Sequence, residues 1–238
     1  HLRTVPDTAC GPDGPPYSAW RLAGVRGVVT LMLIYDHLAQ GLRMPSAWND
    51  SSLVCPVKPK ARQTSRGYEP LVEETRPLAM RNCDNKTLTA VVAKALVPAQ
   101  QVHVIPTARG FTAGRQLIEN TLDLDAAART AGWRHGARHL ILIPFDFLAA
   151  FPSVAQALLL LVLDLLEVPC GLRSFIHALY GLNRALDPAT GAHLFWYLAG
   201  ILQGDPLSGF LFVVVANIYF EHVRAVLDLA DRGRSRAC

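Results

Sequence analysis

Apolar and polar positions alternate along the chain in ways that predict a mixture of helices and short strands. Leu22, Val25, Val29, Met32 and Leu33 recur at helical spacing, and Ser18 precedes them in a capping position, so 18–40 reads as a helix. SLVCPV (52–57) reads as a short strand, and ETRPLAMRN (74–82) as its returning partner in a hairpin. Residues 86–97 form an amphipathic helix ended by Pro98, VHVIP (102–106) an extended piece, and 112–130 a helix that uses Leu117, Ile118, Leu122 and Leu124. HLILIPFD (139–146) is the clearest strand: an almost unbroken apolar run, as a strand buried on both faces should be, ending in Asp146. Ser153 and Gln156 stand in a capping-box relation that opens a helix to Val168, before Pro169. HLFWYLAGI (193–201) is strand-like, and Ser208 heads a last helix over 208–230. Strands and helices do not alternate as βαβ units, so the pattern predicts an α+β fold rather than a doubly wound sheet.

Composition narrows this picture. In 238 residues, 51% hydrophobic and 18% charged, a sizeable core can form and a mainly disordered chain is excluded. A net charge of +4 is compatible with nucleic acid but does not require it. The five cysteines are widely spaced with no C-x-x-C pair, which argues against a disulfide framework or a zinc site and for a reducing, intracellular compartment. No signal peptide is visible. The runs ALLLLVLDLLEV (157–168) and GFLFVVVANIYF (209–220) are shorter than the roughly 20 residues of a membrane-spanning helix, so buried helices are expected and no membrane partner. The chain opens on His1 and closes on DRGRSRAC, and both ends read as cuts in a longer protein.

Three stretches carry candidate chemistry. Asp146, at the end of a rigid buried strand, is placed to hold a metal ion above the sheet, although such an acid also simply ends strands. In LQGDPLS (202–208), Gly204 allows close backbone approach, Pro206 stiffens the turn and Ser208 starts a helix. In RPLAMRN, Arg76 offers a guanidinium fork suited to phosphate, the bland alternative being a solvated hairpin arginine.

Taken together and in order, these segments resemble the reverse transcriptases of non-LTR (LINE-type) retrotransposons. FDFLAAF (145–151) resembles the palm motif in which an Asp is followed five residues later by an aromatic, here Phe151. QGDPLS resembles the Q-G-x-P-L-S signature. RPLAMRNCDNK resembles the fingers motif R-P-I-x-L-x-N-x-x-x-K, matched at Arg76, Pro77, Asn82 and Lys86. LVCPVKPK resembles the strand before it, with Lys58 or Lys60 as the phosphate-facing lysine. ACGPDGPPYSAWR (9–21) resembles an A-P-G-P-D-G-I-P motif upstream of the fingers, with Cys10 where Pro is usual. RGFTAGRQLIEN (109–120) resembles Q-x-G-F-x-x-G-R, matched at Gly110, Phe111, Gly114 and Arg115 but not at the leading Gln.

The resemblance implies a right-hand polymerase fold of fingers (1–135) and a partial palm (136–238) without a thumb. It implies an RNA-directed DNA polymerase, a nucleotidyltransferase acting on an RNA template, a DNA primer and deoxynucleoside triphosphates, in the nucleus. Asp146 and the carbonyl of Phe147 would hold Mg2+ or Mn2+. Lys58, Lys60, Arg76, Phe151, Gln203 and Gly204 would meet the nucleotide, Phe151 excluding a 2′-hydroxyl. Gly110, Arg115, Pro206, Leu207 and Ser208 would meet template and primer. The paired aspartates of an A-D-D hairpin are missing; Asp228 and Asp231 do not match it, so this stretch alone is expected not to polymerise. Three alternatives remain at this point: a degenerate relic that at most binds nucleic acid, a group II intron-type reverse transcriptase, and a helical membrane-associated protein.

Overall fold

The computed structural model describes the chain except for residues 60–62, 65, 66, 69, 70, 136–142 and 236–238. It forms two compact units, each built from two stretches of chain: 1–95 with 151–208, and 96–150 with 209–238. The expected boundary between 135 and 136 falls at the edge of the undescribed residues 136–142. The mixed α+β class holds, with eight helices and a four-stranded sheet among the described residues.

The first unit is organised on that sheet. Its strands are β1 (Ser51–Val54), β4 (Leu78–Arg81), β5 (Arg184–Leu186) and β6 (His193–Trp196), in the order β4-β1-β5-β6. The expected hairpin is present: β1 and β4 run antiparallel, pairing Ser51 with Arg81 and Val54 with Leu78. Between them lies a two-residue pair, β2 (Gln63–Thr64) with β3 (Gly67–Tyr68). β5 joins β1 in parallel, and β6 folds back antiparallel on β5 as an exposed edge. Asp50 ties the parallel pair, accepting from Arg184 Nε at 2.8 Å and Nη2 at 2.6 Å, a fork that a lysine could not reproduce.

Helices α1 (Tyr17–Leu22), α2 (Gly24–Ala39), α3 (Cys83–Ala95), α6 (Gln156–Leu165) and α7 (Cys170–Leu179) complete this unit. Its core gathers Leu38 of α2, Leu159 and Leu163 of α6, and Phe175, Ile176 and Leu179 of α7, all essentially solvent-free, with Tyr35 tilted against Phe175 at 5.1 Å.

Several expectations need correction here. The helix over 18–40 is two helices, broken at Gly24, whose φ of +56° suits glycine. Its inward stripe is Gly27, Leu31 and Leu38; the expected Leu22, Val25, Val29, Met32 and Leu33 face outward. The segment is apolar almost all round, so periodicity could not choose a face. Packing chose the stripe holding Gly27, where a Cβ would sit 3.1 Å from the Trp20 carbonyl. Ser153 does not cap α6, which starts after Ala155; Gln156 instead turns its amide toward the carbonyls of Tyr197 and Gly200. α6 also stops at Leu165, short of the expected Val168. Only the first four residues of the strand expected over 193–201 are a strand.

The second unit holds α4 (Val97–His103), α5 (Ile118–His135) and nearly all of α8 (Ser208–Ser235). Pro98 does not end a helix but sits in the first turn of α4, where its missing N–H costs nothing; VHVIP is therefore the end of a helix rather than a strand. α5 starts at Ile118, later than the expected 112, and Leu117, Ile118, Leu122 and Leu124 are exposed. Asn217 of α8 accepts from the Ile105 amide at 2.8 Å and donates to the His103 carbonyl, holding the end of α4.

The strand expected over 139–146 lies partly outside the described residues. The described part, Ile143–Asp146, is not a strand and is exposed, with Phe145 82% accessible. An apolar run forms a buried strand only where neighbours pair with it, and no described strand pairs with 143–146. α8 also proves longer than expected. Its Ser208–Asp228 stretch, with mean hydropathy 1.6, is long and apolar enough to cross a bilayer, a test that core helices of soluble proteins pass too.

The reversal of the α2 face has a measurable consequence. Met32→Lys should change the urea midpoint little, within about 0.5 kcal/mol, whereas Leu31→Lys should cost several-fold more by burying an unpaired ammonium. Equal losses would mean that both faces are covered.

Candidate functional site

The centre of the first unit is a six-residue stretch, Arg81–Lys86, that begins at the end of β4 and runs into α3. A strand residue directed inward is normally apolar, yet Arg81 stands there with 1% of its surface exposed. A buried guanidinium persists only if its donors are met. Here Nη1 donates to Asp205 Oδ2 at 3.0 Å, and Nη2 donates to Asn49 Oδ1 at 2.6 Å and to the Leu179 carbonyl at 3.2 Å. Nε alone lacks a partner. Asp205 is buried as well, and its other oxygen accepts from the Leu207 amide at 2.8 Å.

This ion pair fastens the Gln203–Ser208 turn to β4. The backbone adds to it: the Ala79 amide donates to the Gln203 carbonyl at 2.8 Å. Gly204 has φ +103°, and a Cβ on it would lie 3.0 Å from the Ala79 carbonyl oxygen, so glycine is required on both counts. Ser208 does not cap α8 as expected. Its hydroxyl donates back to the Leu202 carbonyl at 2.6 Å, and Asp205 meets the turn's free amide instead. Tyr180, also buried here, has its phenol held well above its ordinary value, chiefly by burial and next by the charge of Asp205.

The same stretch anchors the N-terminal segment. The Asp13 amide donates to Asn82 Oδ1 at 3.3 Å, and a Cβ on Gly11 would lie 2.4 Å from the Asn82 amide nitrogen. Lys86 is buried; its Nζ donates to the Ala9 carbonyl at 3.0 Å and lies 5.2 Å above the Tyr17 ring. Burial pushes the Tyr17 phenol up to about 12. Asp84 accepts from the Trp48 indole at 2.9 Å and from the Asn85 amide at 2.6 Å.

A third segment reaches the turn from the other side. The Ile201 amide donates to the Phe151 carbonyl at 2.9 Å and the Gly200 amide to the Val154 carbonyl at 2.8 Å, so residues 151–154 lie along the chain that enters the turn. Phe151 is half-buried there.

Of the other residues singled out in the sequence, Arg76 is exposed, with its amide on the Pro56 carbonyl. Lys58 is exposed but spends its ammonium on the Glu73 carbonyl at 2.6 Å. Lys60 lies outside the described residues. In the turn, Gly204 and Pro206 are exposed, Gln203 is half-buried, and Leu207 and Ser208 point into the core. Gly110 and Arg115 belong to the second unit, where Arg115 gathers the carbonyls of Gln101, Val104, Ile105 and Ala108 and so staples a turn. Asp146 and Phe147 belong to that unit too; Asp146 is exposed, and the Phe147 ring meets Tyr219 edge-on at 5.9 Å. Among the described residues no three His, Cys, Asp or Glu side chains are grouped to hold a metal ion, so these residues do not by themselves fit Mg2+ or Mn2+.

Arg81, Asp205 and Asn49, which hold this network together, were not among the candidate residues. The one hint in the sequence is that Arg81 shares a strand face with Ala79, a position that a solvated charge does not occupy. No protein-family model matches the chain, and no curated protein matches it either.

Two acids of the site should give it a pH signature. The carboxyls of Asp13 and Asp84 are both held above their ordinary value, first by burial and, for Asp13, next by the charge of Asp84. A carboxyl raised on folding binds its proton more tightly in the folded state. Its contribution is fully present below the unfolded value of 3.8 and is lost as pH rises through the raised one. Relative to the parent's, the urea midpoint of Asp13→Asn should therefore rise as pH increases above 3.8. Parallel profiles would show that Asp13 is not strained in this way.

Proposed function

We propose that this chain is the fingers and part of the palm of a reverse transcriptase of the non-LTR retrotransposon type. It would help to hold an RNA template, a DNA primer and an incoming deoxynucleoside triphosphate in the nucleus. The observation that carries this reading is a convergence. The ACGPDGPPY, RPLAMRNCDNK and QGDPLS segments resemble successive motifs of one family and lie far apart in sequence, yet they interlock on Arg81–Lys86. The end of the Asp-motif segment, at Phe151, bonds into the chain entering the same turn. Random matches to short patterns carry no reason to meet in space.

The interlock leaves defined groups free to act. With Leu207, Ser208, Arg81 and Asp205 turned inward, an outside ligand meets the exposed backbone of Gly204, the ring of Pro206 and part of Gln203. Arg76, exposed at the approach to β4, offers a fork for a phosphate. In this reading Phe151 abuts the sugar and selects against a 2′-hydroxyl. Chemistry at the primer end needs clustered carboxylates around metal ions, which supply charge for the attacking and leaving oxygens. The described residues do not form such a cluster, so the role assigned to this chain is binding and orientation.

Fluorescence anisotropy with a labelled RNA–DNA primer–template is the direct test. Binding should appear at low salt, weaken as salt rises, and fall about threefold to tenfold in Arg76→Ala. Asp146→Asn should leave it unchanged, and primer extension with the isolated chain and magnesium should yield no product. Absence of any salt-sensitive binding would overturn the proposal, and clear extension would overturn the division of labour.

A further inference from the structure

A cavity of about 690 Å³ lies in the first unit, and its wall does not include residues 203–208. It is bounded by the end of α2 with the loop Gly41–Ser46, by α6, and by one face of α7. That volume lies in the range of small-molecule sites, which are mostly apolar with a few fixed polar groups. The floor matches this description. Leu38 and Leu163 are 1% exposed, and Trp48 is buried with its indole N–H already committed to Asp84.

The rim is cationic. Arg43 and Arg173 both line the space, with His177 from the last turn of α7. Arg173 is paired with Asp164, so one arginine is neutralised and the other is not. Arg43 is exposed, and among the described residues its guanidinium has no hydrogen-bond or ion-pair partner. Its backbone, by contrast, is fixed: the carbonyl meets His37 Nε2 at 3.2 Å, and Gly41, at φ +79°, lets the chain turn sharply after α2. In the same wall Arg173 Nε is buried without any acceptor.

We infer that this cavity is a binding site for a small amphiphilic anion, a carboxylate or phosphomonoester with an apolar body. The anionic head would accept from Arg43, and the body would lie on Leu38, Leu163 and Trp48. A guanidinium fork meets either head group through two parallel bonds, whereas a neutral polar head would leave the uncompensated arginine unused. The site is separate from the nucleic-acid role proposed above and does not depend on it.

The probe is 1-anilinonaphthalene-8-sulfonate, an anion with an aromatic body whose fluorescence rises in apolar surroundings. The folded chain should bind it saturably at one site, and octanoate and octyl phosphate should displace it while 1-octanol does not. Competition by only one of the two anions would identify the head group. Arg43→Ala, at an exposed position, should weaken binding about tenfold or more. Leu160→Trp, which fills the cavity, should abolish it, with thermal unfolding showing that both variants fold. No saturable binding would overturn the inference, as would equal displacement by octanol. An effect of Leu160→Trp without one of Arg43→Ala would leave a merely apolar cleft. An effect of Arg43→Ala alone would put the anion outside the cavity. Each of these outcomes contradicts the assignment.

Discussion

A guanidinium without water must find its acceptors inside the protein, and in this chain that requirement organises the first unit. Arg81 sits at the end of β4, an edge strand of the sheet, with almost none of its surface exposed. Its partners come from three places: Asn49 just before β1, the Leu179 carbonyl at the end of α7, and Asp205 in the turn before α8. Removing water from a charge costs several kcal/mol, which only well-placed partners offset. A buried pair of this kind adds little net stability over an apolar substitute, but it penalises every arrangement in which the partners are apart. It therefore acts chiefly on specificity: β4, the turn and the α7 terminus have one acceptable relation.

The turn shows how a local sequence and a distant charge divide the work. Glycine at 204 supplies a backbone conformation and a closeness to β4 that no other residue could. Asp205 then does two things at once, satisfying the Leu207 amide and the Arg81 fork. The variable position of the Q-G-x-P-L-S pattern is thus the one that ties the turn to the strand. Residues inside the pattern face the core, and the exposed remainder, Gly204 with Pro206, is mostly backbone and ring. Recognition at such a surface relies on shape and close approach more than on side-chain charge.

Much of the first unit could be read from the chain, and the failures have physical causes. The β1–β4 hairpin, the helix after it and the Gly-Pro turn were legible because each has a local signature in pattern or turn chemistry. The buried face of α2 was not, since an almost wholly apolar helix offers two equal stripes and the choice belongs to its neighbours, Gly27 above all. The strand ending at Asp146 was the boldest expectation. Its described end, Ile143–Asp146, is exposed and unpaired as strand, because apolar runs acquire structure only from partners. The role of Arg81 was not legible for the opposite reason. A single charge in a short strand looks solvated until its acceptors, up to 124 residues away, are known.

The hold of the QGDPLS turn on β4 rests on the Arg81–Asp205 pair, and a double-mutant cycle in urea measures it most directly. Arg81→Met and Asp205→Asn each remove a charge while preserving much of the shape. Each alone should be strongly destabilising, by about 3–5 kcal/mol, because the other charge stays buried and unpaired. The double variant should lose clearly less than the sum, a coupling on the order of 1–3 kcal/mol. Losses that simply add would mean that the two residues do not depend on each other and that something else holds the turn to the strand.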